Sequence, residues 1–113
     1  MYSPQQPMRR AVRYPLHLPV SVRLAEKEIN TQSENISLNG ILLSSAFLIP
    51  EGSTVELAVA VGRTLNPGIF LTGRGKVLRV QLKESGDFAV AIECEHPFGL
   101  TRRSSDRGLA EYQ

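Results

Sequence analysis

Two short stretches of this chain combine residue types that bind anions and small polar groups. The first, Arg9-Arg10-Ala11-Val12-Arg13, contains the spacing Arg-x-x-x-Arg. A guanidinium is planar and always charged, so it forks onto phosphate oxygens and stacks on aromatic faces. In a chain with 10 arginines such a spacing is common, and its plain reading is a solvated basic arm. The second stretch is Asn35-Ile36-Ser37-Leu38-Asn39-Gly40, an [Asp/Asn]-x-Ser-x-x-Gly pattern. Its plain reading is an ordinary hairpin, because Asn-Gly tolerates the positive φ of a tight turn. Asn35 and Ser37 stand two apart, so on a strand they share a face and leave Ile36 and Leu38 to the core. Two short polar groups on an outer face, ending in a glycine turn, make a small polar binding surface.

The elements that must position these residues are strands. Leu18, Val20, Val22 and Leu24 alternate with other residues, the period of a strand with one buried face. Val55, Leu57, Val59 and Val61 repeat the pattern, as do Leu78, Val80 and Leu82, and then Phe88, Val90, Ile92 and Cys94. Residues 29–36 and 41–45 read as two more strands. Turns are marked at Pro50-Glu51-Gly52, Asn66-Pro67-Gly68 and Glu84-Ser85-Gly86-Asp87. About six short strands at roughly ten-residue spacing predict an all-β barrel or sandwich. Residues 1–8, with two Pro and two Gln, read as a flexible tail. Residues 99–113 read as a tail or a short helix capped by Ser105 or Asp106. One domain over 9–98 suits a chain of 113 residues, and Met1 with short ends favours a single-domain product.

Composition removes several function classes. No apolar stretch approaches the ~20 residues of a membrane helix, and the N-terminus lacks the apolar core of a signal peptide. A single cysteine, Cys94, forms no disulfide within the chain and no multi-cysteine metal site, which points to the reducing cytoplasm. His17 and His96 are isolated, Ser37 has no recognisable base, and Cys94 alternates in step with buried residues. An enzyme is therefore disfavoured, and neither a metal nor a cofactor is expected. Net charge is only +2, which argues against a nucleic-acid polymer as ligand. A barrel for single strands would also display aromatic platforms, and this chain has no Trp. The charge is uneven, however. Residues 1–24 carry Arg9, Arg10, Arg13 and Arg23 and no acid, so a local anion site is expected.

An Arg pair before the first strand, an Asn/Ser pair on the second and alternating strands after it resemble the PilZ domain family, bacterial receptors for cyclic di-GMP. Tyr14-Pro15-Leu16-His17-Leu18-Pro19-Val20 is similar to that family's first strand and Gly40-Ile41-Leu42-Leu43 to its third. Gly75-Lys76-Val77-Leu78-Arg79-Val80 and Phe88-Ala89-Val90-Ala91-Ile92-Glu93 are similar to its last two. The resemblance covers roughly residues 8–98 and implies a six-stranded antiparallel β-barrel. It implies a cyclic di-GMP site at Arg9, Arg10, Arg13, Asn35, Ser37 and Gly40. By the family pattern, Arg9 and Arg13 take guanine or phosphate, and Arg10 adds charge beside phosphate. Asn35 and Ser37 hydrogen-bond the ligand, and Gly40 keeps bulk away from it. The arm has too little apolar content to order itself, so it is expected to fold over the ligand and present a surface to a downstream protein. Met8, just before the pair, leaves open whether one or two ligands bind. Ala91 and Cys94 stand where family members often have Gly and Phe, changes expected to be absorbed by packing. Motility, biofilm matrix export and virulence are processes the resemblance admits. The alternative is a PilZ-like adaptor that works without nucleotide, as in pilus assembly.

Overall fold

The computed structural model describes residues 12–62 and 68–102. In chain order its strands are β1 (Pro19–Leu24), β2 (Lys27–Ile36), β3 (Gly40–Ser45), β4 (Thr54–Ala60), β5 (Ile69–Leu82), β6 (Phe88–Cys94) and β7 (Gly99–Arg102). Pro19 occupies the first position of β1, where a missing N–H does least harm to a ladder. Three strands keep the alternation expected of them. Val20 and Val22 on β1, Val55, Leu57 and Val59 on β4, and Val90, Ile92 and Cys94 on β6 are all buried. Leu18 before β1, Ile36 on β2, Ile41 and Leu43 on β3, Val77 on β5 and Ile49 in the loop after β3 complete the core.

All pairings are antiparallel. The ladder runs β4-β1-β2-β3-β6-β5, and β4 pairs with β5 to close a six-stranded barrel. The 14-residue β5 makes the closure, pairing with β4 over Phe70–Lys76 and with β6 over Gly75–Leu82. Gly75 is required where these two pairings meet. A Cβ there would lie 2.5 Å from the backbone carbonyl oxygen of Glu93. The seventh strand, β7, pairs with Ile69–Thr72 and continues the line of β6 along the same strand. Residues 99–102 thus form a strand rather than the start of a tail or helix. The helix expected after Ser105, the tail 1–8 and most of the turn Asn66-Pro67-Gly68 lie outside the described residues. Among the described residues, no helix is long and apolar enough to cross a membrane.

Two strands break the simple alternation, each with a β-bulge. On β2, Ser33 pairs with Leu43 and Asn35 with Leu42, so Glu34 has no opposite residue. On β5, Val77 pairs with Ile92 and Arg79 with Ala91, so Leu78 is the extra residue. One inserted residue changes the face of everything beyond it. Ser33 and Ile36 are both buried although three apart, and Asn35 is turned outward between them. In the same way Val77 is buried and Arg79 is exposed. This corrects the inward assignment of Leu78, which is 54% exposed; Leu82 keeps the phase of Val80 but is 67% exposed at the end of β5.

Candidate functional site

The bulges align one row across four strands: Asn35 on β2, Leu42 on β3, Ala91 on β6 and Arg79 on β5. The neighbours of Leu42 and Ala91 in their strands are buried, so this row lies on the outer face of the barrel. It forms the floor of a cleft of about 430 Å³, to which Arg13, Ser37, Gly40, Leu78 and Glu93 also contribute. That volume falls within the usual range for small-molecule sites.

Arg13 enters the cleft from the segment that precedes β1. Tyr14 and Ile36 exchange both backbone hydrogen bonds, at 2.8 and 2.9 Å, which lays this segment beside the end of β2. Ser33 clasps the next residues. Its buried hydroxyl donates to the Leu16 carbonyl at 2.5 Å and accepts from the Leu18 N–H at 2.9 Å. Arg13 Nη1 then donates to Asn35 Oδ1 at 2.7 Å. That bond joins the two stretches singled out in the sequence. It uses one of five guanidinium donors and leaves the Asn35 amide with its own N–H donors.

The hairpin between β2 and β3 departs from expectation in detail. Ser37 N–H and Ser37 Oγ both donate to the Gly40 carbonyl, at 2.8 and 3.3 Å. Ser37 is buried rather than displayed beside Asn35, because its hydroxyl serves its own turn. Leu38, expected in the core, is 68% exposed at the tip of that turn. Neither Asn39 nor Gly40 has a positive φ. What marks Gly40 is close approach instead: a Cβ would lie 3.1 Å from Ser37 Oγ and 3.8 Å from Arg13 Nη2. Asn39 holds the turn against the end of β6, its carbonyl accepting from Cys94 N–H at 2.8 Å. Of the residues marked in the sequence, Arg13, Asn35, Ser37 and Gly40 meet in the cleft, whereas Arg9 and Arg10 lie outside the described residues.

Five of these cleft residues carry no site signal in the sequence pattern: Leu42, Leu78, Arg79, Ala91 and Glu93. The β5 bulge hides Leu78, which simple alternation with Val80 points inward. Ala91 belongs to the cleft floor, not the packed interior, so its methyl group faces whatever binds there. Cys94, by contrast, is 2% exposed. Burial pushes its thiol above the ordinary value, and the neighbouring Glu93 carboxylate adds to this. A thiol held neutral in this way is a core residue, not a nucleophile.

Other depressions suit a charged purine ligand less well. A groove of about 650 Å³ between Leu24, Ile29, Phe47 and Leu48 is mainly apolar. Another cleft, of about 380 Å³, contains Arg23 and Arg74. There the charges alternate across adjacent strands as Glu28, Arg23, Glu56 and Arg74, so the cross-strand neighbour of each cation is an acidic residue. Among the described residues no cluster of His, Cys, Asp and Glu is arranged to hold a metal.

A family model described as "PilZ domain" matches residues 7–107. Among solved structures, the fold is similar to the Bacillus subtilis inhibitor of motility, MotI/DgrA, with a TM-score of 0.66 and 23% identity. The alignment covers 78% of this chain and 43% of that protein, so the chain spans less than half of its length. Comparison with curated protein sequences returned no match.

Proposed function

The chain belongs to the PilZ domain family, and we propose that it is a receptor for cyclic di-GMP that signals through contacts with another protein. The observation that carries this reading is the Arg13–Asn35 hydrogen bond, which brings both signature stretches to one outward-facing cleft. The ligand has two guanines and two phosphodiesters, hence two negative charges. Arg13 and Arg79 offer forked donors to guanine O6 and N7 or to phosphate. Leu42, Leu78 and Ala91 offer an apolar floor for the flat face of a purine. The Glu93 carboxylate offers an acceptor for the guanine N1–H and N2–H groups.

Arg9 lies four residues before Arg13, at most about 14 Å along the chain, within reach of a ligand in the cleft. In this reading the arm closes over the nucleotide, bringing Arg9 and Arg10 to it. The closed arm, carrying the exposed Val12 and Tyr14, then forms part of a surface that another protein reads. Membership of the PilZ family supports a binding role rather than a catalytic one. The name of the structural neighbour links its fold to inhibition of motility, which makes motility the first process to assay here.

Titration calorimetry tests the proposal, with cyclic di-GMP as ligand and GTP and cyclic GMP as controls. Selective binding is expected, weakened by added salt because charge is screened. Arg13→Ala is expected to lower affinity at least about tenfold, the loss of roughly one charged hydrogen bond. No heat with the wild-type protein, at ligand concentrations well above the protein's, would overturn the proposal in favour of a nucleotide-independent adaptor.

A further inference from the structure

We infer that the ion pair between Lys83 and Glu34 is a positioning pair for the cleft, pinning the β2 bulge and so setting Asn35 toward the ligand; this rests on the cyclic di-GMP reading above. Lys83 Nζ donates to Glu34 Oε2 at 2.5 Å and to Ser44 Oγ at 3.0 Å. It is the one ion pair among the described residues, and both side chains are only 31% exposed. The base of Lys83 is fixed by its hairpin, where its N–H donates to Asp87 O at 2.8 Å and its carbonyl accepts from Gly86 N–H at 3.0 Å.

Glu34 is the residue inserted into β2, without a partner on β3. A bulged residue lacks the ladder contact that holds its neighbours, and here the Lys83 ammonium gives Glu34 a contact in its place. If Glu34 slipped back into the ladder, Asn35 would turn inward and Ile36 outward. The hydrogen bond to Arg13 would be lost, along with the Asn35 donors in the cleft. Ser44 is two residues from the floor residue Leu42 and on the same outer face, so the ammonium ties the bulge to the strand beside it. Neither Lys83 nor Glu34 lines the cleft, so their effect on a ligand passes through Asn35.

The test titrates cyclic di-GMP into wild type, Glu34→Gln, Lys83→Met, Lys83→Arg and the charge-exchanged Glu34→Lys/Lys83→Glu protein. Backbone amide NMR spectra of each protein without ligand accompany the titrations. Each of the two neutralising changes is expected to weaken binding about three- to tenfold, the size of a coupling between residues in contact. Lys83→Arg is expected to bind like wild type, and the exchanged pair to recover most of the loss. Amide shifts are expected to change at Ser33–Ile36 in the neutralised proteins.

The sign of the Glu34→Gln effect separates positioning from simple field attraction. Removing a negative charge near a dianion would tighten binding if only the field mattered, and that result overturns the inference. Unchanged affinity in both neutralised proteins overturns it as well. If the wild-type protein binds no cyclic di-GMP, the functional reading fails and the amide shifts decide the pin. Changes at Ser33–Ile36 would then support it, and unchanged shifts there would overturn it.

Discussion

Replacing two glycines by alanine should separate the barrel from its site. At Gly75 the new Cβ would meet the Glu93 carbonyl oxygen at 2.5 Å and its carbon at 3.0 Å. Both are backbone atoms of β6, and Gly75 is paired with β4 and β6 at once, so neither side can retreat cheaply. Overpacking against groups that cannot move costs about 1–3 kcal/mol or more. At roughly 4–8 °C per kcal/mol for a domain of this size, melting should fall by about 10 °C or more. At Gly40 the nearest obstacle is Ser37 Oγ at 3.1 Å, a hydroxyl that can rotate away. Its bond to Gly40 O is long, at 3.3 Å, so losing it costs about 0.5 kcal/mol. The alanine recovers a similar amount by restricting the unfolded chain, and Gly40 has no positive φ to oppose it. Gly40→Ala should therefore melt within about 3 °C of wild type. Its methyl group would nonetheless touch Arg13 Nη2 at 3.8 Å, inside the cleft, and cyclic di-GMP affinity should fall about tenfold. Thermal melts followed by circular dichroism and calorimetric titration measure the two effects. Wild-type melting of Gly75→Ala would refute the packing argument, and wild-type affinity of Gly40→Ala would refute the placement of the site.

Other perturbations probe separate parts of the account. Ser33→Ala leaves the buried Leu18 N–H without its acceptor and should cost about 1–3 kcal/mol, read as a lower denaturation midpoint in urea. Arg79→Ala should weaken cyclic di-GMP binding and flatten its salt dependence while leaving the melting temperature unchanged, measured by titrations at two salt concentrations. Cys94 has its folded-state pKa raised, so the unfolded chain loses that proton first as pH rises. Its contribution is complete at neutral pH and is lost above roughly pH 8.5. Cys94→Ala should be less stable at pH 7 but lose less stability between pH 8 and 10, measured by denaturant titration.

The sequence was most readable where strands are uninterrupted. Val20 and Val22, Val55 to Val59, and Val90 to Cys94 follow a strict two-residue period, and all face the core. It was least readable at the bulges. An inserted Glu34 or Leu78 has no distinctive residue type, yet each changes the face of the residues that follow. For this reason alternation alone points Leu78 inward, although it lies at the cleft. The glycine of the Asn39-Gly40 pair was legible, but for a different reason: close approach to Ser37 and Arg13, not backbone freedom. Four-residue β7 shows too little alternation to register. That Arg13 and Asn35 belong together came from resemblance to a family, since periodicity carries no information about two residues 22 apart.

The most direct test of the cleft is a cyclic di-GMP titration of the isotope-labelled protein followed by amide NMR. The account predicts the largest shift changes at Arg13, Asn35, Ser37, Gly40, Arg79 and Ala91. Changes centred instead on Arg23 and Arg74, or on Phe47 and Leu48, would contradict it, as would a spectrum that does not move.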